Sequence, residues 1–269
     1  MTDARLGDLL APLRATPART AVLLDVDGTL APITTRAGDA AVPVPTRAAV
    51  GAVAARYGLV ACVTGRRTLE ARGIVGLDDL EYVGNHGTEI LRAGRDEPEL
   101  RPGIAEWEPR VRRAAHRLLD AATGDGAAGL RLEDKGAIQA LHWRGAPDEA
   151  AAEAAAEELG RRAVDDGLVL HRGRMVLELR PPVPFDKGAA VRWVLEGRDV
   201  RGALYAGDDR TDVDAFDGLR ALQGEGALDA AACVAVADPE APGAVAAAAD
   251  ATVDGTEGVR LLLEELARP

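Results

Sequence analysis

Asp25-Val26-Asp27-Gly28-Thr29 places two carboxylates two residues apart at the end of a short apolar run, Ala21-Val22-Leu23-Leu24. Like charges so close are costly unless a cation or a proton lies between them, and pairing them lets one act as nucleophile while the other shuttles protons. A calcium loop is excluded, because the third acidic ligand and the glycine at its required offset are missing. A second acidic cluster, Gly207-Asp208-Asp209-Arg210-Thr211-Asp212, follows another apolar run, Ala203-Leu204-Tyr205-Ala206. Asp208, Asp209 and Asp212 can converge where a loop turns into a helix, and hard carboxylate oxygens suit Mg²⁺. Taken singly, each cluster has a bland reading, an Asp-Gly turn or a helix start favoured by the dipole. Two of them at equivalent strand ends do not.

Two weaker motifs complete the set. Val63-Thr64-Gly65-Arg66 offers a hydroxyl, a glycine whose N–H can approach an anion, and a guanidinium, while Phe185-Asp186-Lys187-Gly188 puts a lysine at the opening of a helix. Helix starts and charged donors favour anions. The four segments together are equipment for holding Mg²⁺ and a phosphoryl group.

Positioning them requires elements that bring distant segments to one edge. Ala21–Leu24, Leu59–Val63, Ala203–Ala206 and Cys233–Val236 are continuous apolar runs, each followed by polar residues, and Tyr82-Val83 leads into Gly84-Asn85-His86-Gly87. Runs of this kind are expected for strands buried on both faces of a parallel sheet. With a helix predicted over Ala48–Tyr57, the alternation implies a doubly wound, Rossmann-like α/β sheet whose site lies at the strands' carboxyl ends. Between 102 and 182 the pattern changes to α-β-β repeated twice. The spacing predicts a helix over Ile104–Ala122, a hairpin over Leu130–Lys135 and Ala137–Arg144, a helix over Pro147–Val164, and a second hairpin over Leu168–Arg172 and Met175–Arg180. An α+β domain with an antiparallel sheet is therefore expected at 102–182, inserted into a core made of 1–101 and 183–269, with Pro98, Pro102 and Pro181-Pro182-Val183-Pro184 as stiff hinges.

Composition narrows the class. The 269 residues carry 32 Lys plus Arg against 44 Asp plus Glu, a net charge of −12, which repels phosphate backbones and argues against a nucleic-acid partner. Cys62 and Cys233 each stand alone in an apolar run, so they are expected as small core residues rather than a disulfide or zinc pair. Neither a signal-like N-terminus nor an apolar run of membrane-spanning length is present, and a cytoplasmic protein without a membrane partner is expected. His116 and His171 have no neighbours in sequence that suggest chemistry and read as surface residues.

The order Asp25-x-Asp27-Gly28-Thr29, Thr64-Gly65, Lys187, Gly207-Asp208-Asp209-x-x-Asp212 resembles the four motifs of the haloacid dehalogenase superfamily. Further strings are similar to trehalose-6-phosphate phosphatases: Gly84-Asn85-His86-Gly87-x-Glu89, Leu132-Glu133-Asp134-Lys135, Leu141-His142-Trp143-Arg144, and Leu177-Glu178-Leu179-Arg180-Pro181. Two positions depart from that pattern, Val213 where an acidic residue is common and Trp143 where tyrosine is frequent. The resemblance implies Asp25 as a nucleophile that forms an aspartyl-phosphate and Asp27 as general acid/base. It also implies Thr64 on the phosphoryl oxygens and Lys187 neutralising both Asp25 and the phosphate. Mg²⁺ would be held by Asp25, the backbone carbonyl of Asp27 and Asp208, with Asp209 and Asp212 in support. Gly65, Arg66, Asn85 and His86 would contact substrate, and the insertion would be a specificity-conferring cap.

Within that insertion, Glu133 and Lys135 share a strand face, as His142 and Arg144 are expected to, and a hairpin would set the pairs near one another. With Glu178 they could read the hydroxyls of a hexose, although an exposed cross-strand salt-bridge pattern explains the same residues. The implied function is a Mg²⁺-dependent phosphatase acting on trehalose 6-phosphate, with a small-molecule sugar phosphate as partner and a functional link to a trehalose-phosphate synthase. The alternatives are a related sugar-phosphate phosphatase, a non-catalytic regulatory partner of such a synthase, and a receiver-like signalling domain, which would leave the insertion unexplained.

Overall fold

The computed structural model describes residues 3–34, 37–122, 125–237 and 243–268, so the expected Asp238-Pro239 loop lies outside the described residues. The chain divides into two compact units, Met1–Glu99 with Phe185–Pro269, and Leu100–Pro184. These breaks fall two residues outside the segment 102–182 marked by the change of sequence pattern.

In the first unit, strands β1 (Thr20–Leu24), β2 (Leu59–Val63), β3 (Glu81–Gly84), β4 (Glu89–Leu91) and β5 (Glu99–Leu100) come from the first half of the chain. Helices α1 (Asp3–Ala15), α2 (Val44–Ala54) and α3 (Thr68–Val75) connect them. The second unit contributes α4 (Glu108–Asp120), α5 (Asp125–Ala128), β6 (Arg131–Lys135), β7 (Ile138–His142), α6 (Glu149–Asp165), β8 (Val169–Gly173) and β9 (Val176–Arg180). The first unit then resumes with α7 (Lys187–Leu195), β10 (Gly202–Gly207), α8 (Arg210–Gly224), β11 (Ala230–Ala237), α9 (Gly243–Ala248), β12 (Ala251–Asp254) and α10 (Gly255–Ala267).

The large sheet runs β12-β11-β10-β1-β2-β3-β4-β5, parallel from β12 to β3 and antiparallel between β3 and β4. Its strands alternate between two cores, as the period of two demands. Val22 and Leu24 of β1 face a core with α1, α2, α3 and α10, whereas Ala21 and Leu23 face one with α7, α8 and α9. That is a doubly wound α/β architecture, and Asp25 leaves β1 between two neighbours, β10 and β2. Both cysteines are free and buried in these cores.

Some boundaries differ from the sequence expectation. Helix α2 spans Val44–Ala54 rather than 48–57, because Pro43 and Pro45 start a helix well while the chain must turn at Gly58 into β2. Helix α4 begins at Glu108, after turns at 104–107, and α6 begins after Asp148, whose carboxylate accepts from the Ala151 N–H at 2.9 Å. Strand β7 stops at His142, leaving Arg144 exposed in the following turn, so the expected sharing of a strand face by His142 and Arg144 does not hold.

The second unit is a four-stranded antiparallel sheet, β6-β7-β9-β8, with one face packed by α4 and α6 through Val111, Leu118, Leu141, Leu159 and Leu179. Register places Glu133, Ala140, Glu178 and His171 in one row across the opposite face.

Helices α7 and α8 approach unusually closely. A Cβ on Gly218 would lie 2.8 Å from Gly188 Cα and 2.9 Å from its carbonyl oxygen. Gly218→Ala should therefore force the helices apart and lower stability by about 1–3 kcal/mol. Gly51→Ala, in the interior of α2 with nothing within 4 Å, should raise it by up to about 1 kcal/mol. Urea unfolding midpoints of the two variants test the contrast, and equal midpoints would disprove the tight α7–α8 contact.

Candidate active site

Lys187 opens α7, where Asp186 accepts from the Ala189 N–H at 2.6 Å and fixes the start of the helix. Its ammonium is 2% exposed and donates to Asp25 Oδ1 at 2.9 Å and to Asp212 Oδ1 at 2.6 Å, with Asp209 Oδ1 at 3.7 Å. Burial works against the charge on Lys187, but the surrounding carboxylates of Asp212, Asp25 and Asp209 outweigh it and hold its pKa well above the usual value. Burial drives the Asp25 carboxyl well up, more than Lys187 can offset, and the other aspartates add to the rise. Asp208 is pushed up to about 6 by burial and by the charges of Asp212 and Asp209. Such a cluster titrates as one coupled system with an excess of negative charge over a single ammonium.

Asp25, Asp208 and Asp212 are all buried and bring one carboxylate oxygen each to within 4.8 Å of one another. Hard oxygen donors around an undercompensated negative charge fit a divalent cation such as Mg²⁺. The three are not equivalent. Asp212 already accepts three hydrogen bonds, at Oδ1 from Lys187 and from the Tyr205 hydroxyl at 2.7 Å, and at Oδ2 from the Asp209 N–H at 2.9 Å. Asp208 accepts at Oδ1 from the Thr29 hydroxyl at 3.1 Å, so Oδ2 is the oxygen better placed to ligate. Asp209 stands apart from the three. It caps α8, its Oδ1 accepting from Thr211 and Asp212 N–H groups while Asp212 returns the bond in a capping box.

Gly28 has φ +82°, and a Cβ there would lie 2.1–2.7 Å from the Asp208 carboxylate. Only glycine lets the β1 and β10 loops meet. From the β2 loop, Arg66 clamps Asp27 with Nε to Oδ2 at 2.6 Å and Nη2 to Oδ1 at 2.7 Å, and its Nη1 donates to Glu70. The guanidinium expected on substrate is thus directed at the second aspartate of the motif. The Thr64 hydroxyl accepts from the Arg66 N–H at 3.2 Å. Asn85 and His86 are left-handed, φ +49° and +56°, followed by Gly87 at +100°, and each non-glycine residue in that region costs about 1–3 kcal/mol. Their N–H groups donate to the Arg66 and Thr64 carbonyls at 2.8 and 3.0 Å.

On the second unit's sheet, His142 Nε2 lies 2.7 Å from Glu133, whose carboxyl is held below the usual range mainly by that bond. Glu178, 6% exposed, accepts from Lys135 at 3.4 Å and from Arg180 Nε and Nη2 at 2.9 and 2.5 Å. The four-stranded sheet thus gathers the expected Glu133, Lys135, His142 and Glu178, and adds Arg180 and His171. Burial and the Arg180 charge lower the pKa of His171, which register places opposite Glu178 and which lies exposed, as its sequence context suggests. Thr29 and Tyr205 also act on site residues, and Glu89 on Thr68 beside the β2 loop, without having been singled out by type. Thr29 and Glu89 lie inside the motifs, and Tyr205 in the run before Gly207.

A two-faced parallel sheet with converging aspartates and a buried lysine at its carboxyl ends is the fold of haloacid dehalogenase-like hydrolases. A Bacteroides thetaiotaomicron structure so described matches at TM-score 0.65 with 16% identity, covering 91% of this chain and 98% of that one. The Candida albicans trehalose-6-phosphate phosphatase C-terminal domain matches at TM-score 0.70 with 20% identity, covering 97% and 96%. Residues 23–246 match the trehalose-phosphatase family model, and the chain belongs to that family.

Among curated relatives, a probable trehalose-phosphate phosphatase of Oryza sativa is 36% identical over 236 residues, which is 78% of this chain and 62% of that protein. The trehalose-phosphate phosphatase of Mycobacterium marinum is 38% identical over 213 residues, 75% of this chain and 52% of that protein. A Mycobacterium tuberculosis protein described as an uncharacterized glycosyl hydrolase is 36% identical over 211 residues, 75% of this chain and 15% of that protein. The match thus takes up about half the length of most of these relatives, and far less of the last. Among the described residues, no helix is long and apolar enough to cross a membrane.

The electrostatics make a testable statement about pH. Asp208 has a folded-state pKa of about 6, above its ordinary 3.8, so between those values the folded protein binds more protons than the unfolded chain. Stability from this group is fully present below about 3.8 and is lost as pH rises through about 6. In EDTA, wild type should therefore lose stability relative to Asp208→Asn between pH 4 and 7, followed by urea unfolding at constant ionic strength. A flat difference, or one of opposite sign, would remove the assigned burden of charge.

Proposed function

We propose that this chain is a Mg²⁺-dependent phosphatase that acts in the cytoplasm on trehalose 6-phosphate, releasing trehalose and inorganic phosphate. The observation that carries the reading is that side-chain hydrogen bonds tie all four motif loops together. Arg66 holds Asp27, Lys187 holds Asp25, and Thr29 holds Asp208. Membership of the trehalose-phosphatase family supports the choice of substrate.

In this reading Asp25 attacks phosphorus, and the bond from phosphorus to the sugar oxygen breaks. Asp27 gives its proton to that departing oxygen, leaving trehalose and an aspartyl-phosphate on Asp25. Asp27 then takes a proton from water as the water oxygen attacks phosphorus, which frees Asp25 and inorganic phosphate. Thr64 and the Gly65 N–H hold the phosphoryl oxygens, and Lys187 lowers the cost of ionising Asp25 and offsets the phosphate charge. Asp25, the Asp27 carbonyl and Asp208 would hold Mg²⁺, which supplies charge neutralisation for the phosphoryl group. Asp212 and Asp209 support that set through Lys187 and the α8 cap.

Sugar recognition is assigned to Glu133, Lys135, His142, Arg144 and Glu178 of the second unit, whose mixed donors and acceptors match hydroxyl groups. The C-terminal domain of a Candida albicans trehalose synthase regulatory protein shares the fold at TM-score 0.63 with 12% identity. A regulatory, non-catalytic partner of a synthase is therefore the competing reading. The intact set Asp25, Asp27, Lys187 and Asp208 favours catalysis.

Phosphate release from a panel of sugar phosphates, with Mg²⁺ and with EDTA, tests the proposal; equal rates in both buffers would sink the metal assignment. Asp25→Asn should fold and lose at least about 10²-fold in turnover, since the positioned acid/base alone typically supplies ~10²–10⁴-fold. Glu178→Ala should lower kcat/KM on trehalose 6-phosphate by about 10- to 150-fold, the equivalent of a buried charged hydrogen bond worth roughly 1.5–3 kcal/mol. Hydrolysis of p-nitrophenyl phosphate, which has no sugar to read, should change little. Equal losses on both substrates would refute sugar reading by Glu178.

A further inference from the structure

The left-handed run Asn85-His86-Gly87 is held from two sides. On one side, the Asn85 and His86 N–H groups donate to the carbonyls of Arg66 and Thr64, and the Thr64 N–H donates to the Val83 carbonyl at 2.9 Å. A Cβ on Gly65 would lie 2.7 Å from Cε1 of the His86 ring, and one on Gly84 would lie 2.6 Å from the Thr68 nitrogen. On the other side, a Cβ on Gly87 would lie 3.0 Å from both Ala190 Cβ and the Asp186 carbonyl oxygen, at the start of the helix that carries Lys187. The run is therefore wedged between the loop bearing Thr64 and the helix bearing Lys187.

Glu89 anchors the far end of this arrangement. It is 2% exposed, and its Oε1 accepts from both the Thr68 N–H at 2.7 Å and the Thr68 hydroxyl at 3.0 Å, while Arg67 Nη2 lies 4.0 Å from Oε2. Residues 64, 66 and 68 are thus gripped at three alternate points by residues 85, 86 and 89. A buried carboxylate is costly to desolvate, and the partners of this one are Thr68 and Arg67.

We propose that Glu89 is a positioning residue for phosphoryl binding: by pinning Thr68 it fixes the Thr64–Arg66 loop, already gripped by the left-handed run, in register with Lys187. The ligand class is a tetrahedral phosphoryl oxyanion, which Glu89 itself does not touch. Binding to a loop ordered in advance spares the ordering cost at the moment of binding. The inference rests on the phosphatase reading above and deepens it.

The test compares Glu89→Ala, Glu89→Gln and Thr68→Ala with wild type, by calorimetric binding of inorganic phosphate and by kcat and KM on p-nitrophenyl phosphate. Glutamine keeps an acceptor for Thr68, so Glu89→Gln should bind phosphate within about threefold of wild type. Glu89→Ala should weaken phosphate binding by about 10-fold or more. Thr68→Ala, which keeps the N–H but not the hydroxyl, should fall between them and guards against failure of Glu89→Ala to fold. The Mg²⁺ midpoint should stay within about twofold in all three, because the aspartate cluster takes no hydrogen bond from Glu89. Wild-type phosphate binding in a folded Glu89→Ala would overturn the inference while leaving the phosphatase reading intact. Equal losses in Glu89→Gln and Glu89→Ala would also overturn it, by making charge rather than the acceptor decisive. A wild type that binds phosphate without hydrolysing any ester would defeat the phosphatase reading alone, and one that does neither would defeat both.

Discussion

One buried ammonium makes the rest of the site feasible. Lys187 reaches Asp25 at the end of β1 and Asp212 in α8, whose start follows β10, and it is the only cation recorded in contact with either among the described residues. At about 4 Å a unit pair interacts by about 4 kcal/mol at an effective dielectric constant of 20, and like pairs repel by as much. Asp25, Asp208, Asp209 and Asp212 thus exceed what one lysine can balance, which is why burial wins at Asp25 and Asp208 and raises both carboxyls. The sheet creates this imbalance, because cores on both faces leave the strand ends as the place where charge can gather. A second cation is the economical completion of such an arrangement.

The position of Lys187 depends in turn on two glycines. Gly188 and Gly218 let α7 and α8 meet backbone to backbone, and α8 carries the Asp212 that Lys187 must reach. Gly28 does the same for the β1 and β10 loops. Neutral donors come from elsewhere: the β2 loop supplies the Thr64 hydroxyl and backbone, steadied by the segment after β3. The carboxylates thus gather on the β1 and β10 loops and α8 around Lys187, while the β2 loop brings one cation, Arg66, to Asp27 alongside its neutral donors.

The loops bearing Asp25, Thr64 and Asp208 were legible in the sequence because each follows an apolar run that stops abruptly at polar residues. Asp25 and Asp208 needed no more than this pattern and residue type to be singled out, whereas Lys187 stood out as a lysine at the opening of a helix. What could not be read was how partners distant in sequence divide the work. Asp209 looks like Asp208 in the string yet serves as a helix cap, and Arg66 looks like an anion binder yet faces Asp27. Tyr205 sits within a run of core residues, where nothing distinguishes a tyrosine whose hydroxyl meets an aspartate from one that merely fills space. Arg144 was misplaced because a period of two does not say where a strand ends, and Gly145 and the turn after Trp143 end this one. The antiparallel β4 and the edge strand β12 were missed because each has only three or four residues.

The second unit shows how a polar sheet face can be ordered before any ligand arrives. Glu178 is shared between Lys135 and Arg180, and Glu133 is held by His142, so the carboxylates are fixed by charged or hydrogen-bonded neighbours rather than by solvent. A neutral polyhydroxylated ligand need not displace these partners, since each carboxylate oxygen accepts more than one hydrogen bond. An anionic ligand would instead compete with Glu133 and Glu178 for Lys135 and Arg180. Because the pairs in the second unit hold each other in place, little ordering cost is left for any ligand that meets this face, and the groups best matched to it are hydroxyls that can both donate to Glu178 and accept from Lys135.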